Sequence, residues 1–401
     1  MSHIVVVGAG QAAASLVAKL RTSGFDGQIT VIGEEPAPPY QRPPLSKAYL
    51  LGEMALDRLY LRPESYYGEH DITLRLGCRV DRIDREAKRV LCDGDGLPYD
   101  MLALTTGAVP NRLPNAIGGD LDGVYTMRSL ADADGMAHEL RPGARVLIVG
   151  GGYIGLEAAA VAAKKGLSVT LVEMAPRILQ RVAAPETSDY FRALHESHGV
   201  DIREGCGLER LTGTTRVTGA VLTDGTELAI DFVIVGVGIR PDTALAEQAG
   251  LEIDNGIAVD ADGRTSDPAI WAAGDCASFP HGDGRLRLES VGNAIDMGEL
   301  VAVNMMGAGK PYVPKPWFWS DQYDVKLQIA GLGTGYDEIV TRRDGGGVSF
   351  WYYQGDRLLA IDAMNDPRAY MVGKRLIEAG RSPAKAAVAD PGTDLKALLQ
   401  A

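Results

Sequence analysis

Two short glycine patterns, each falling directly behind a β-branched run, constrain this chain more than anything else in its sequence. The first reads Val5-Val6-Val7-Gly8-Ala9-Gly10-Gln11-Ala12-Ala13, and apolar residues continue at helical spacing through Ala13, Leu16, Val17 and Leu20. A second apolar run, Ile29-Thr30-Val31-Ile32, leads to Gly33-Glu34. Strand, glycine turn, helix, strand and acid, in that order, predict a βαβ unit built around a dinucleotide. Gly8 permits the tight turn, Gly10 lets backbone amides approach a pyrophosphate, and Ala13 allows the helix to pack close to the strand. The helix N-terminus adds partial positive charge for the phosphates, and Glu34 accepts from a ribose hydroxyl. The pattern then recurs. Arg145–Val149 runs into Gly150-Gly151-Gly152-Tyr153-Ile154-Gly155, and an alanine-rich helix leads to Leu167-Ser168-Val169-Thr170-Leu171-Val172-Glu173. Gly150, Gly152 and Gly155 fill the three small positions, with Ile154 in the first helical turn and Glu173 as the ribose acid. Two such units predict two dinucleotides brought together so that electrons pass between them. Glu173 repels the extra phosphate of NADPH, and neither Met174 nor Ala175 is basic, so NADH is favoured; Arg177 and Arg181 are the nearby cations that oppose this.

Composition removes other classes. The 401 residues suffice for two or three domains, and 46% hydrophobic with 23% charged residues is ordinary globular composition. No apolar run is long enough for a membrane span, and with the strand-like Ile4–Val7 so near Met1 no targeting leader is expected. The formal net charge of −13 argues against nucleic acid as a partner. Cys78, Cys92, Cys206 and Cys276 lie at least 14 residues apart with no C-x-x-C, so neither a disulfide framework nor a metal site is expected. That usage fits a reducing cytoplasm.

Further motifs carry a family resemblance along essentially the whole chain. Thr265-Ser266-Asp267-Pro268-Ala269-Ile270-Trp271-Ala272-Ala273-Gly274-Asp275, Leu104-Thr105-Thr106-Gly107-Ala108-Val109-Pro110 and Gly236-Val237-Gly238-Ile239-Arg240-Pro241 resemble signatures of the flavoprotein reductases related to glutathione reductase. Thr105 stands where alanine is usual, a departure expected to have little consequence. Arg42-Pro43-Pro44-Leu45-Ser46-Lys47 and Pro316-Trp317-Phe318-Trp319-Ser320-Asp321-Gln322-Tyr323 resemble, more narrowly, the FAD-dependent NADH:ferredoxin reductases. That putidaredoxin-reductase-like branch feeds haem-thiolate monooxygenases and ring-hydroxylating dioxygenases. The resemblance implies FAD and NAD as cofactors and a 2Fe-2S ferredoxin as partner. It places Gly8, Gly10, Ala12, Ala13, Glu34, Arg42, Lys47, Val80, Arg128, Asp275 and Val291 against FAD. Gly150, Gly152, Ile154, Gly155, Glu173 and Gly238 are placed against NAD, with Glu289-Ser290 near the nicotinamide amide.

Relatives that reduce disulfides use a cysteine pair, or one cysteine in the segment after the first ribose acid. Positions 38–48 here hold no thiol, and Cys276 reads as a core residue. Electrons are therefore expected to leave the flavin directly for an outside acceptor. Reduced flavin carries negative charge, which a nearby cation stabilises. Lys47 is that candidate, Glu157 its pairing partner, and Trp319 lies at the flavin edge by resemblance or serves as an interdomain anchor. Two alternatives stand beside a ferredoxin reductase. One is a reductase of rubredoxin or another small acceptor; the other is a redox-sensing NADH-binding flavoprotein resembling apoptosis-inducing factor.

The expected fold is α/β, with two Rossmann-like dinucleotide-binding domains and a smaller α+β C-terminal domain. Residues 1–110 and 241–314 form the FAD domain, 111–240 the NAD domain and 315–401 the C-terminal domain. Val348–Tyr353 and Arg357–Ile361 around Gln354-Gly355-Asp356 predict a β-hairpin, a helix follows over 368–379, and residues from about 382 read as a loosely held tail. From Pro311 onward eleven basic and eleven acidic residues balance, so the net −13 lies wholly before it. Arg342, Arg343, Lys374, Arg375 and Arg381 are accordingly the candidate docking cations for an acidic ferredoxin.

Overall fold

The computed structural model describes residues 2–400. The chain divides into two compact units. The first takes the N-terminal segment as far as Gln41, Ala55–Val109 and Ile239–Pro316; the second takes Arg42–Met54, Pro110–Gly238 and Trp317 onward. No helix among the described residues is long and apolar enough to cross a membrane.

In the first unit a parallel sheet runs Ile270–Ala272, Met101–Leu104, His3–Val7, Gln28–Gly33 and Ile72–Leu76 across its width. Its central strands are buried on both faces, which is why they read as unbroken apolar runs instead of alternating ones. The helix Gln11–Thr22 turns Ala13, Leu16, Val17 and Leu20 into that core. Its neighbour Val291–Met305 approaches closely through a glycine: a Cβ on Gly298 would lie 2.6 Å from the Ala12 carbonyl oxygen.

The expectation of four unpaired cysteines fails in this unit. Val80–Asp84 and Arg89–Cys92 form antiparallel strands with Val80 opposite Cys92. The turn between them folds a separation of 14 residues back to a Cα–Cα distance of 6.4 Å, and Cys78 and Cys92 are joined by a disulfide. Closing a loop of this length contributes about 3 kcal/mol by restricting the unfolded chain. Cys206 and Cys276 remain as buried free thiols. Thiol titration in denaturant should therefore find two reactive cysteines before reduction and four after it; four from the outset would count against the pairing.

The second unit repeats the parallel architecture with Asp201–Glu204, Ser168–Glu173, Arg145–Val149, Phe232–Val235 and Val124–Thr126. It also contains a five-stranded antiparallel sheet in the order Trp317–Gln322, Val325–Gly331, Arg357–Met364, Gly347–Gln354 and Glu338–Asp344. The hairpin around Gly355 and the helix Pro367–Glu378 form as the aromatic and helical patterns suggest. The tail does not hang loose. Lys385–Ala389 and Leu395–Leu399 are short helical turns, and Val388, Leu395 and Leu398 are buried in the C-terminal core. Arg342 explains the difference. It is 1% exposed and donates to the carbonyls of Val388, Asp390, Pro391 and Thr393, four backbone acceptors that no local pattern reveals. Arg342 is thus removed from the docking candidates, and Arg381 likewise binds the tail through the Leu399 carbonyl. Arg343 and Arg375 stay exposed, and Lys374 pairs with Glu378.

One face of the helix Pro185–Ser197, carrying Thr187, Phe191 and His195 at four-residue spacing, is buried. There Asp362 accepts from the Tyr352 hydroxyl at 2.5 Å and the Thr187 hydroxyl at 2.7 Å. Burial raises the Asp362 carboxyl to about 6, against those two stabilising hydrogen bonds. A group raised in this way contributes stability that is fully present below its unfolded value, near 3.9, and is lost as pH rises through about 6. Asp362→Asn should flatten that part of the pH–stability profile, read by urea unfolding between pH 4 and 7. An unchanged slope would assign the pH dependence to other groups.

Candidate functional site: two glycine cradles and a buried ion pair

The first cradle belongs to the first unit. Gly8 has φ +102°, and a Cβ there would lie 2.3 Å from the Thr105 carbonyl oxygen, so no larger residue fits the turn. Thr105 fixes this turn from the next strand end: its hydroxyl lies 3.1 Å from the Val7 carbonyl and 2.9 Å from that of Gly8. Its departure from alanine therefore has a local role that the sequence did not suggest. Beyond Gly10 the space is open, with nothing within 4 Å of a built Cβ, and the helix that follows has no side-chain cap. Side-chain caps occur elsewhere, at Ser129, Ser290, Asp366 and Asp394, while Pro185–Ser197, which opens on a proline, is uncapped as well. An uncapped helix start behind an open glycine suits a pyrophosphate, whose oxygens would take the free amides. Ala13 is fully buried, and Ala12 is packed beside Gly274 and Gly298, so both shape the cradle through their small size.

Glu34 is exposed at the end of its strand with Arg79 at 3.5 Å, while Glu35 accepts from Tyr40. Val80 is half-buried opposite Cys92. The Asp275 carbonyl accepts from Arg287, which also pairs with Glu289. Ser290 spends its hydroxyl capping the helix that opens at Val291. Cys276 is wholly buried, its thiol 3.5 Å from the carbonyls of Leu104 and Ala273, and burial pushes its pKa up. That is the environment of a packing residue, not of a nucleophile.

The second cradle, in the second unit, has the same construction. Gly150 has φ +108° with the Gly236 carbonyl oxygen 2.4 Å from a built Cβ, Gly152 opens on empty space, and Gly155 packs on the Gly150 carbonyl. The helix Tyr153–Lys164 again lacks a side-chain cap. Glu173 accepts from the Gly151 amide at 2.7 Å and the Ala175 amide at 2.8 Å, which anchors both carboxylate oxygens. Ile154 and Met174 are exposed. Arg177 is committed elsewhere, to the Ser188 hydroxyl and the Ala183 carbonyl. Arg181 is exposed, its guanidinium 3.4 Å from the position a Cβ on Gly238 would take.

The same unit holds Lys47 and Glu157. Arg42 donates to the Arg128 carbonyl at 2.8 Å, fixing the start of the turn Pro43–Ser46 that carries Lys47. The Lys47 ammonium lies 2.6 Å from Glu157 Oε2, with Glu157 only 1% exposed. Ser46 donates to the same oxygen at 2.6 Å and Ser320 to Oε1 at 2.7 Å. Glu157 is thus no solvated first-turn acid. The strand Trp317–Gln322 reaches it by alternation: Phe318, Ser320 and Gln322 share one face, and Phe318 meets the Tyr153 ring one helical turn before Glu157. Trp319 projects oppositely, half-buried and stacked on Trp317 at 5.5 Å.

Residues 2–298 match the family model described as pyridine nucleotide-disulphide oxidoreductase, and residues 317–399 match one described as reductase C-terminal. The chain belongs to the pyridine nucleotide-disulphide oxidoreductase family. A ferredoxin–NAD(P)(+) reductase of a Sphingomonas species is 44% identical over 98% of this chain and 96% of its own length. Putidaredoxin reductase of Pseudomonas putida is 42% identical over 94% and 91%. Among solved structures, the covalent putidaredoxin reductase–putidaredoxin complex superposes with a TM-score of 0.96 at 39% identity, covering 100% of this chain and 98% of that one. Family membership carries the flavin and pyridine nucleotide chemistry to which the two cradles conform.

Proposed function

We propose that this chain is a flavoprotein reductase that passes electrons from NADH through FAD to a 2Fe-2S ferredoxin supplying a monooxygenase or dioxygenase. The observation that carries this reading is full-length likeness to reductases of small electron carriers, through both cradles and the C-terminal segment. FAD, when bound, accepts a hydride from NADH and releases electrons one at a time. Gly8, Gly10, Ala12 and Ala13 would hold its phosphates, Glu34 a ribose, and Arg42, Val80, Arg128, Asp275 and Val291 its remaining length. Gly150, Gly152, Ile154, Gly155, Glu173 and Gly238 would hold NADH. Lys47, oriented by Glu157, would supply positive charge, and Trp319 would screen the ring edge. In this reading residues 1–110 and 241–314 are the FAD domain, 111–240 the NAD domain and 315–401 the C-terminal domain.

Positions 38–48 hold no thiol and Cys206 and Cys276 are buried, so this reading sends electrons from the flavin directly to the outside acceptor. The balance of the reaction is NADH plus two oxidised ferredoxins giving NAD⁺, two reduced ferredoxins and one proton. Cytoplasmic action is part of the same proposal, with NADH as the donor; the Cys78–Cys92 disulfide removes the support that cysteine usage lent to a reducing compartment. The test is steady-state NADH oxidation by the FAD-loaded protein with purified 2Fe-2S ferredoxins, and with rubredoxin as the competing acceptor. Turnover with ferricyanide but with no ferredoxin would sink the reading; preference for rubredoxin would move it to the other acceptor class. Arg343→Glu with Arg375→Glu should raise KM for the ferredoxin about threefold by weakening electrostatic steering, and leave ferricyanide reduction unchanged. Equal losses with both acceptors would remove these cations from the docking face.

A further inference from the structure

A buried polar chain leads away from Glu157, and every link in it points the same way. The Tyr323 hydroxyl donates to His195 Nδ1 at 3.2 Å, and His195 Nε2 donates to Gln322 Oε1 at 2.8 Å. The Gln322 amide donates to Ser320 Oγ at 3.1 Å, and Ser320 donates to Glu157 Oε1 at 2.7 Å. The direction is forced by the partners. Ser320 gives its one proton to the carboxylate, so it must accept from the Gln322 amide; the Gln322 carbonyl oxygen then faces His195, which places the ring proton on Nε2 and leaves Nδ1 for the phenol. His195, Ser320 and Gln322 are fully buried.

Three details mark the chain as more than filler. Aligned hydrogen bonds polarise one another, so the positive end of every dipole faces the carboxylate. Burial lowers His195 to about 4, against the Gln322 hydrogen bond and with exposed His198 adding to the depression, so the ring stays neutral and the chain keeps its direction. Tyr323 holds φ +57° in the two-residue turn that joins Gln322 to Val325, a position normally given to glycine or asparagine. A tyrosine kept in that conformation, with its ring stacked on His198 at 3.6 Å, is there for its side chain.

We propose that His195, Gln322 and Tyr323 are positioning residues for the Lys47–Glu157 pair. The chain aims the Ser320 hydroxyl at Glu157 Oε1, which leaves Oε2 to Ser46 and Lys47 and fixes where the ammonium points. This rests on the reading above, in which that ammonium serves the flavin.

The experiment compares FAD-loaded variants by anaerobic stopped flow with NADH, by the visible spectrum of the bound flavin and by its midpoint potential. His195→Leu and Gln322→Leu should slow flavin reduction roughly fivefold to tenfold, as the loss of one hydrogen bond's net contribution allows. They should also move the potential to more negative values, while the NADH Kd stays within about twofold. His195→Gln keeps a donor near the Nε2 position and should restore the parent potential. Tyr323→Phe removes a single oxygen and keeps the test decisive should a leucine variant fail to fold; it should shift the potential in the same direction by less. Lys47→Met and Glu157→Gln are the reference pair. If they shift the potential while folded, FAD-loaded variants at 195, 322 and 323 do not, the chain is only structural and the proposal is overturned. If Lys47→Met and Glu157→Gln themselves leave the potential unmoved, the reading of the pair falls, and the proposal with it.

Discussion

Lys47→Met should weaken folding by about 3 kcal/mol, because it leaves a carboxylate in the protein interior without its cation. Glu157 is 1% exposed against 16% for Lys47, so the burden of desolvation falls almost wholly on the acid. Two hydroxyls, Ser46 and Ser320, would still donate to it, but neutral donors do not replace an ammonium at 2.6 Å. The double variant Lys47→Met with Glu157→Met should recover most of that stability, since apolar groups of similar volume do not carry the desolvation penalty. It should not recover the rate at which NADH reduces the flavin. Urea unfolding followed by circular dichroism gives the first quantity and anaerobic stopped flow the second. Recovery of both together would make the pair a purely structural ion pair. Lys47→Met as stable as the parent would mean that the carboxylate finds compensation elsewhere.

What the sequence made legible is what lies close together in it. Each cradle is written in about eight consecutive residues, because a turn, a helix start and the strand before them are local geometry. The open space beyond Gly10 and Gly152 and the crowding around Gly8 and Gly150 follow from positions that a reader can count. The hydroxyls that hold Glu157 could not be counted. Ser46 lies 111 residues from it and Ser320 lies 163, and serine carries no spacing rule. Pairing of Lys47 with Glu157 was reachable only through family resemblance. The disulfide is hidden for a related reason: a hairpin brings Cys78 and Cys92 together, and their distance along the sequence does not reveal it. The tail shows the opposite failure. Val388, Leu395 and Leu398 anchor the segment from about residue 382, and their binding site depends on buried Arg342, far away in sequence. Thr105 shows a third case, in which a departure from a family pattern matters because its hydroxyl reaches two carbonyls of the first cradle turn.

In the proposed reading Glu173 sets the choice between NADH and NADPH, and its replacement carries the other large expected effect. Both of its oxygens are tied to backbone amides, Oε2 to Gly151 and Oε1 to Ala175, which fixes the carboxylate at the strand end. Each oxygen keeps a lone pair for a ribose hydroxyl. A 2′-phosphate in the same place would set about two negative charges against a third that cannot swing away. Arg177 cannot neutralise it, since its guanidinium is held by Ser188 and by the Gln180 and Ala183 carbonyls. Glu173→Ala should therefore lower kcat/KM for NADH roughly 10²-fold, the worth of two charge-assisted hydrogen bonds at the modest end of their range. Adding Met174→Arg places a cation at an exposed site beside the ribose pocket and should raise kcat/KM for NADPH about tenfold. The ratio between the two nucleotides would then swing by about 10³ from a change of two adjacent residues, read by steady-state reduction of ferricyanide. A ratio that moves less than about threefold would mean that nucleotide choice is made elsewhere, with exposed Arg181 near Gly238 the first residue to replace next.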